Sequence, residues 1–117
     1  MNNSIGFRRL FSALRNSIVG LKDAMIHHPA FRQEVVIVAV LIPFAIWLGE
    51  NGLERAILIG VLLIVLIVEL INSAIETVVD RISTEKHKLS KQAKDLSSAA
   101  VLIALVNVLL VWGLILF

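Results

Sequence analysis

Residues 56–80 read AILIGVLLIVLIVELINSAIETVVD, and this stretch decides the fold. From Ala56 to Val68 no polar side chain occurs; Glu69, Asn72, Ser73, Glu76 and Asp80 then break the run at helical intervals. At about 100° per residue, with Glu69 set to 0°, Ser73 falls at roughly 40°, Glu76 at −20°, Asp80 at 20° and Asn72 at −60°, an arc of about 100°. The pattern predicts a membrane-spanning helix over about 53–82 with one polar face. An acid near the middle of a span costs about 2.5 kcal/mol or more, and less toward its edge, so such groups face protein or water and mark function. A polar seam between helices would account for Asn72 and Ser73. Two carboxylates two turns apart exceed what such a seam needs.

The remainder of the chain agrees. Of 117 residues 58% are hydrophobic and 17% charged, with a mean hydropathy of +0.90, against about 45–50% and about 25% in soluble domains. A soluble chain this short would lack the polar groups to cover its surface, which leaves the membrane class. Residues 35–48 carry no charge and, extended back to Phe31, approach the roughly 30 Å of a hydrocarbon core. Gly49-Glu50-Asn51-Gly52 reads as a tight connection, and 97–117 is a third uncharged run. Near the N-terminus Phe7, Leu10, Phe11, Leu14, Ile18 and Leu21 recur every three or four residues opposite Arg8, Arg9, Arg15 and Lys22, the mark of an amphipathic helix on a membrane surface. It lacks the apolar core and cleavage site of a signal peptide. The predicted architecture is an all-α membrane protein in one domain: a surface helix over 1–28, spanning helices over about 31–48, 53–82 and 97–117, and a cytoplasmic loop over 83–96. Without cysteine there is neither a disulfide framework nor a thiolate metal site, and the small net charge of +2 gives no reason to invoke nucleic acid.

Basic residues orient the chain. Arg8, Arg9, Arg15, Lys22 and Arg32 precede or open the first span, and Arg81, Lys86, Lys88, Lys91 and Lys94 lie between the second and third, whereas the 49–55 connection has only Arg55. The positive-inside rule makes the first two zones cytoplasmic, sends the C-terminus outside and leaves Trp47 and Trp112 near the outer interface.

Glu69 and Glu76 stand about 10.5 Å apart along a helix axis, too far to chelate one ion comfortably and close enough to flank a transferring group. Glu76, nearer the cytosol, is placed to hold a hard divalent cation together with phosphate oxygens. Glu69, deeper, suits removal of a proton from a hydroxyl. Lys91, Lys94, Asp95 and Ser98 fall at i, i+3, i+4 and i+7, one helix face, and lysine is a point-charge binder of phosphate. There is no Gly-x4-Gly-Lys-Ser/Thr loop and no His-Arg-Asp catalytic loop, so phosphoryl transfer would have to be built on helix faces. Two rivals belong to other classes. A proton or ion carrier would need polar groups through the full membrane depth, yet the outer half of every span is uncharged; an amphipathic partner subunit would leave the intramembrane acids unexplained.

Val68-Glu69-Leu70-Ile71-Asn72-Ser73-Ala74-Ile75-Glu76, Val79-Asp80-Arg81, His87, Leu89-Ser90, Ala93-Lys94-Asp95 and Ser97-Ser98-Ala99-Ala100 closely resemble the signature of prokaryotic integral-membrane diacylglycerol kinases. Gly6-Phe7 with Arg9, and Ala30-Phe31-Arg32-Gln33-Glu34, resemble the Gram-negative form. The resemblance implies a homotrimer in the bacterial inner membrane, with sites between subunits, that moves the ATP γ-phosphate to the hydroxyl of diacylglycerol with the help of Mg²⁺. It implies Glu69 as general base and Glu76 as metal ligand. Arg9, Asn16, Glu76, Glu85, Lys86, His87, Lys94 and Asp95 fall at nucleotide positions, and Arg9, Glu34, Trp47, Glu69, Ser98 and Trp112 at lipid positions. Undecaprenol kinases of Gram-positive relatives share the motif and are the alternative within the class. Two positions depart from the pattern. The family's usual second metal-binding Glu is His28 here, a poor partner for Mg²⁺ that reads instead as an interfacial His before Pro29. Position 16, often aromatic in close relatives, is Asn16.

Overall fold

The computed structural model describes residues 6–82 and 87–117. They form α1 (Gly6–His27), α2 (Pro29–Leu48), α3 (Gly52–Ile82) and α4 (Lys88–Leu116), with no strand among the described residues. The last three are long and apolar enough to cross a membrane. At about 1.5 Å per residue α2 spans roughly 30 Å, one hydrocarbon core, while α3 and α4 run to about 45 Å. Their surplus length is the polar end of each helix, and it carries the functional face beyond the apolar layer.

Each boundary has a local cause. Pro29 opens α2 after His28 adopts an extended backbone, as suits a residue without an N–H to donate. Arg32 reaches back from the first turn of α2, its Nη1 donating to the carbonyls of Met25 and Ile26 at 2.9 Å each, and so closes the C-terminus of α1. Pro43 lies inside α2 without ending it, a residue that spanning helices tolerate better than soluble ones. At the far end Arg55 Nε donates to Ile46 O at 2.9 Å. Asn51 Oδ1 accepts from the N–H of Glu54, whose Oε1 accepts from the N–H of Glu50, so the first turn of α3 is capped reciprocally. Gly49 is required here by close approach, because a Cβ would stand 2.6 Å from Arg55 Cγ.

The 83–96 loop shrinks in the structure, since α4 opens at Lys88 and not at 97. An apolar run marks only the part of a helix that meets lipid. His87 caps the first turn of α4 through Nδ1, which accepts from the N–H of Leu89 at 3.0 Å, and Lys91 pairs with Asp95 at 2.7 Å, an i, i+4 pair that supports a polar helix as well as an apolar one.

Packing centres on α3, which contacts α4 most extensively and then α2, while α1 rests against α2. Phe31, Val38 and Ala45 of α2 are buried at intervals of seven; Leu58, Val61, Leu62 and Val65 are buried along one stripe of α3, and Ala104 is buried on α4. The same stripe of α3 continues into Glu69, Asn72 and Ser73, all buried. The polar arc is therefore the extension of the packing seam. Elsewhere the helices present large apolar residues outward, among them Leu109 and Leu114 on α4 and Phe7, Leu10 and Phe11 on α1.

Candidate active site

Because the seam of α3 turns polar below Val65, its side chains must find partners on α2, α4 or α3 itself. Glu69, only 4% exposed, accepts on Oε2 from Asn72 Nδ2 and from Ser73 Oγ, both at 3.4 Å and at the long end of hydrogen bonding. Asn72 Oδ1 in turn accepts from Ser97 Oγ of α4 at 2.6 Å. On the other side Glu34 of α2 faces Glu69, and its Oε1 is buried with no hydrogen-bond donor among the described residues. Three helices thus converge on one carboxylate, with the Glu34 side chain packed beside it.

Two turns further along α3, Glu76 is half-buried and lies near Lys94 of α4. Lys94 Nζ is held at 2.6 Å from Asp80 Oδ1, so the two acids of α3 and this lysine form a second cluster, joined to the first by the adjacent turns of α3 and α4. Lys91 and Asp95 form an exposed pair beside it. Between α1 and α3 runs an open groove of about 670 Å³, lined by Ser17, Asp23, His28, Ser73 and Thr77 among others. His28 is half-buried there, its side chain making no capping hydrogen bond. Glu76 does not line the groove, and among the described residues no three His, Asp or Glu side chains converge as a cation site.

The expected site residues divide accordingly. Glu34, Glu69 and Asn72 come together, as do Glu76, Asp80 and Lys94. Arg9 and Asn16 are exposed on α1, and no hydrogen bond or ion pair among the described residues ties them to either cluster. His87 caps α4; Glu85 and Lys86 lie outside the described residues. Trp47 is 75% exposed, as an interfacial indole should be, but Trp112 differs: its Nε1 donates to Leu58 O at 3.2 Å, a link between α4 and α3. Ser98 is exposed and its neighbour Ser97 is buried, so the serine that enters the network is the one that position-by-position comparison passes over. The signal was present in Ser97 and Ala104, small residues seven apart on α4, both buried where two helices approach closely.

Fold and site define a class: a multi-pass helical membrane protein with a buried carboxylate and a lysine–acid cluster at one end of its spans. Residues 15–116 match the family described as prokaryotic diacylglycerol kinase. The chain is 47% identical to a diacylglycerol kinase of Escherichia coli strain K12 over 116 residues, 99% of this chain and 95% of that protein. It is 47% identical to one of Haemophilus influenzae over 117 residues, 100% and 99% of the two chains. It is also 48% identical to one of Pseudomonas aeruginosa over 111 residues, 95% and 90%. The chain belongs to the prokaryotic diacylglycerol kinase family.

Proposed function

We propose that this protein is an ATP-dependent kinase of the bacterial inner membrane that phosphorylates the free hydroxyl of diacylglycerol to give phosphatidic acid. The observation that carries this reading is the buried Glu69 carboxylate, set where the apolar run of α3 ends and joined by Glu34, Asn72 and Ser73. A diacylglycerol hydroxyl sits at the headgroup end of the lipid, the depth at which that run stops. Glu69 takes the hydroxyl proton as the lipid oxygen bonds to the γ-phosphorus; the bond from that phosphorus to the β–γ bridging oxygen breaks, and ADP departs with the electron pair. Glu34, whose side chain stands against Glu69, is suited to orient the same hydroxyl before the proton moves.

Lys94, beside Asp80 and Glu76, provides countercharge for the phosphate chain, with Arg9, Asn16, Glu85, Lys86, His87 and Asp95 as the further nucleotide positions. The residues present fit Mg²⁺ only as a nucleotide complex, since Glu76 is one half-buried carboxylate without converging companions, and Mg²⁺ is commonly held by one or two carboxylates plus substrate phosphates. Bound there, the ion would neutralise charge on the transferring phosphoryl group. The outward apolar faces of α2 and α4 are consistent with a homotrimer whose sites form between subunits. The N-terminus lies in the cytoplasm and the C-terminus outside. A carrier of protons or ions is disfavoured because Glu34, Glu69, Glu76, Asp80 and Lys94 gather at one end of the spans, and 35–48, 56–68 and 97–117 are uncharged.

The deciding experiment measures transfer of phosphate from ATP to lipid in mixed micelles, with diacylglycerol and undecaprenol side by side. Phosphatidic acid formed much faster than undecaprenyl phosphate is the expected result. Preference for undecaprenol would move the protein to the other branch of the family, and transfer to neither would refute the kinase reading.

A further inference from the structure

Ser97 is 7% exposed and sits on α4, 25 positions from the α3 residue it touches. Its Oγ lies 2.6 Å from Asn72 Oδ1 and 3.1 Å from the carbonyl of Lys94 in the preceding turn of its own helix. A hydroxyl has one proton to donate. The shorter contact takes it, because Asn72 Oδ1 is a buried acceptor, whereas the Lys94 carbonyl has its own helical partner.

A primary amide has an acceptor at one end and donors at the other, and rotation by half a turn exchanges them. With Oδ1 committed to Ser97, Nδ2 is turned to Glu69 Oε2, 3.4 Å away. The reverse orientation would set the amide oxygen against a carboxylate oxygen, two acceptors in a buried space, and would turn the Ser97 proton to its longer contact with the Lys94 carbonyl. We propose that Ser97 is a positioning residue for Glu69, acting through Asn72: the hydroxyl on α4 anchors the amide with Nδ2 turned to the carboxylate, and the amide with Ser73 fixes the rotamer of the carboxylate that accepts the lipid proton. Ser97 therefore makes the geometry of an α3 base depend on how closely α4 packs against it. This assignment rests on the reading of Glu69 as general base.

The test compares Ser97→Ala and Ser97→Thr with the unaltered protein in mixed micelles, following kcat, the KM for ATP and, by NMR, the side-chain amide resonances of Asn72. Loss of one hydrogen bond in the Ala variant should lower kcat roughly 3- to 10-fold, leave the KM for ATP unchanged and shift the Asn72 amide resonances. Ser97→Thr, which keeps the hydroxyl, should recover most of the rate and the original resonances. An unchanged kcat in Ser97→Ala overturns the proposal, and so does a fall in kcat with the Asn72 resonances unmoved, which would mean the serine acts elsewhere. Glu69→Gln measured in parallel separates the two levels: if it is inactive while Ser97→Ala is normal, only the role of Ser97 falls, whereas an active Glu69→Gln removes the base itself.

Discussion

Glu69 is the residue on which the chemistry turns, and the amide that replaces its carboxylate keeps shape while losing basicity. Glu69→Gln should lower turnover about 10²-fold or more while nucleotide binding and the helical spectrum stay intact, measured by phosphotransfer and equilibrium binding in detergent; near-normal turnover would sink the assignment. Glu76 and Lys94 act on the phosphate chain, so Glu76→Ala should raise the Mg²⁺ concentration needed for half-maximal rate, and Lys94→Ala the KM for ATP. If both titrations overlay those of the unaltered protein, the cluster is a solvated end of the helices. His28 lines the groove beside Ser73 and Thr77 as an imidazole, whereas a hard cation prefers oxygen ligands, and His28→Ala is therefore expected to retain substantial activity. His28→Glu should lower the Mg²⁺ requirement by supplying a harder ligand; an inactive but folded His28→Ala would require the cation site to be redrawn around an imidazole.

Among elements, the α1–α2 corner is the joint that sets one wall of the groove. Arg32 spans it, donating to two carbonyls at the end of α1, and the orphan carbonyls of a helix end need such partners. Arg32→Ala should make amide hydrogen exchange in the last turn of α1 roughly 5-fold faster, about the worth of one net hydrogen bond, with α3 unaffected. Uniform acceleration across all helices would show that Arg32 supports the whole fold instead. Opposite that corner, Trp112 ties α4 to Leu58 O. Its sequence position near a helix end reads equally as an interfacial anchor, because hydropathy locates an indole in depth but is silent on which neighbour receives its N–H. The early start of α4 was hidden for a related reason: Lys88, Lys91, Lys94 and Asp95 read as loop by polarity, yet a helix beyond the apolar layer needs only caps and paired charges.

At the scale of the whole molecule, one chain occupies a slab of 47 × 43 × 22 Å and leaves broad apolar faces on α2 and α4. Lipid and further copies of the chain are the available cover. If sites form between subunits, mixing inactive Glu69→Gln with Lys94→Ala protein during refolding should restore a fraction of the activity at low ATP concentration, where Lys94→Ala alone is slow, because some interfaces would receive an intact base from one subunit and an intact lysine from another. Absence of recovery from verified mixed oligomers would place both residues of each site on one chain.

The class was legible without coordinates. Uncharged runs of membrane length and a 100° polar arc follow from residue order and helical periodicity alone, which is why the three spans and the shared face of Glu69, Asn72, Ser73 and Glu76 could be read directly. Local spacing also singled out Lys94, three residues from Lys91. What required tertiary structure was every contact across helices: Glu34 facing Glu69, Lys94 meeting Asp80, and Ser97 rather than Ser98 bonding Asn72. Periodicity defines angles about one axis, and those pairings depend on the rotation and translation of a second helix, which are set by how small and large side chains interlock along the seam.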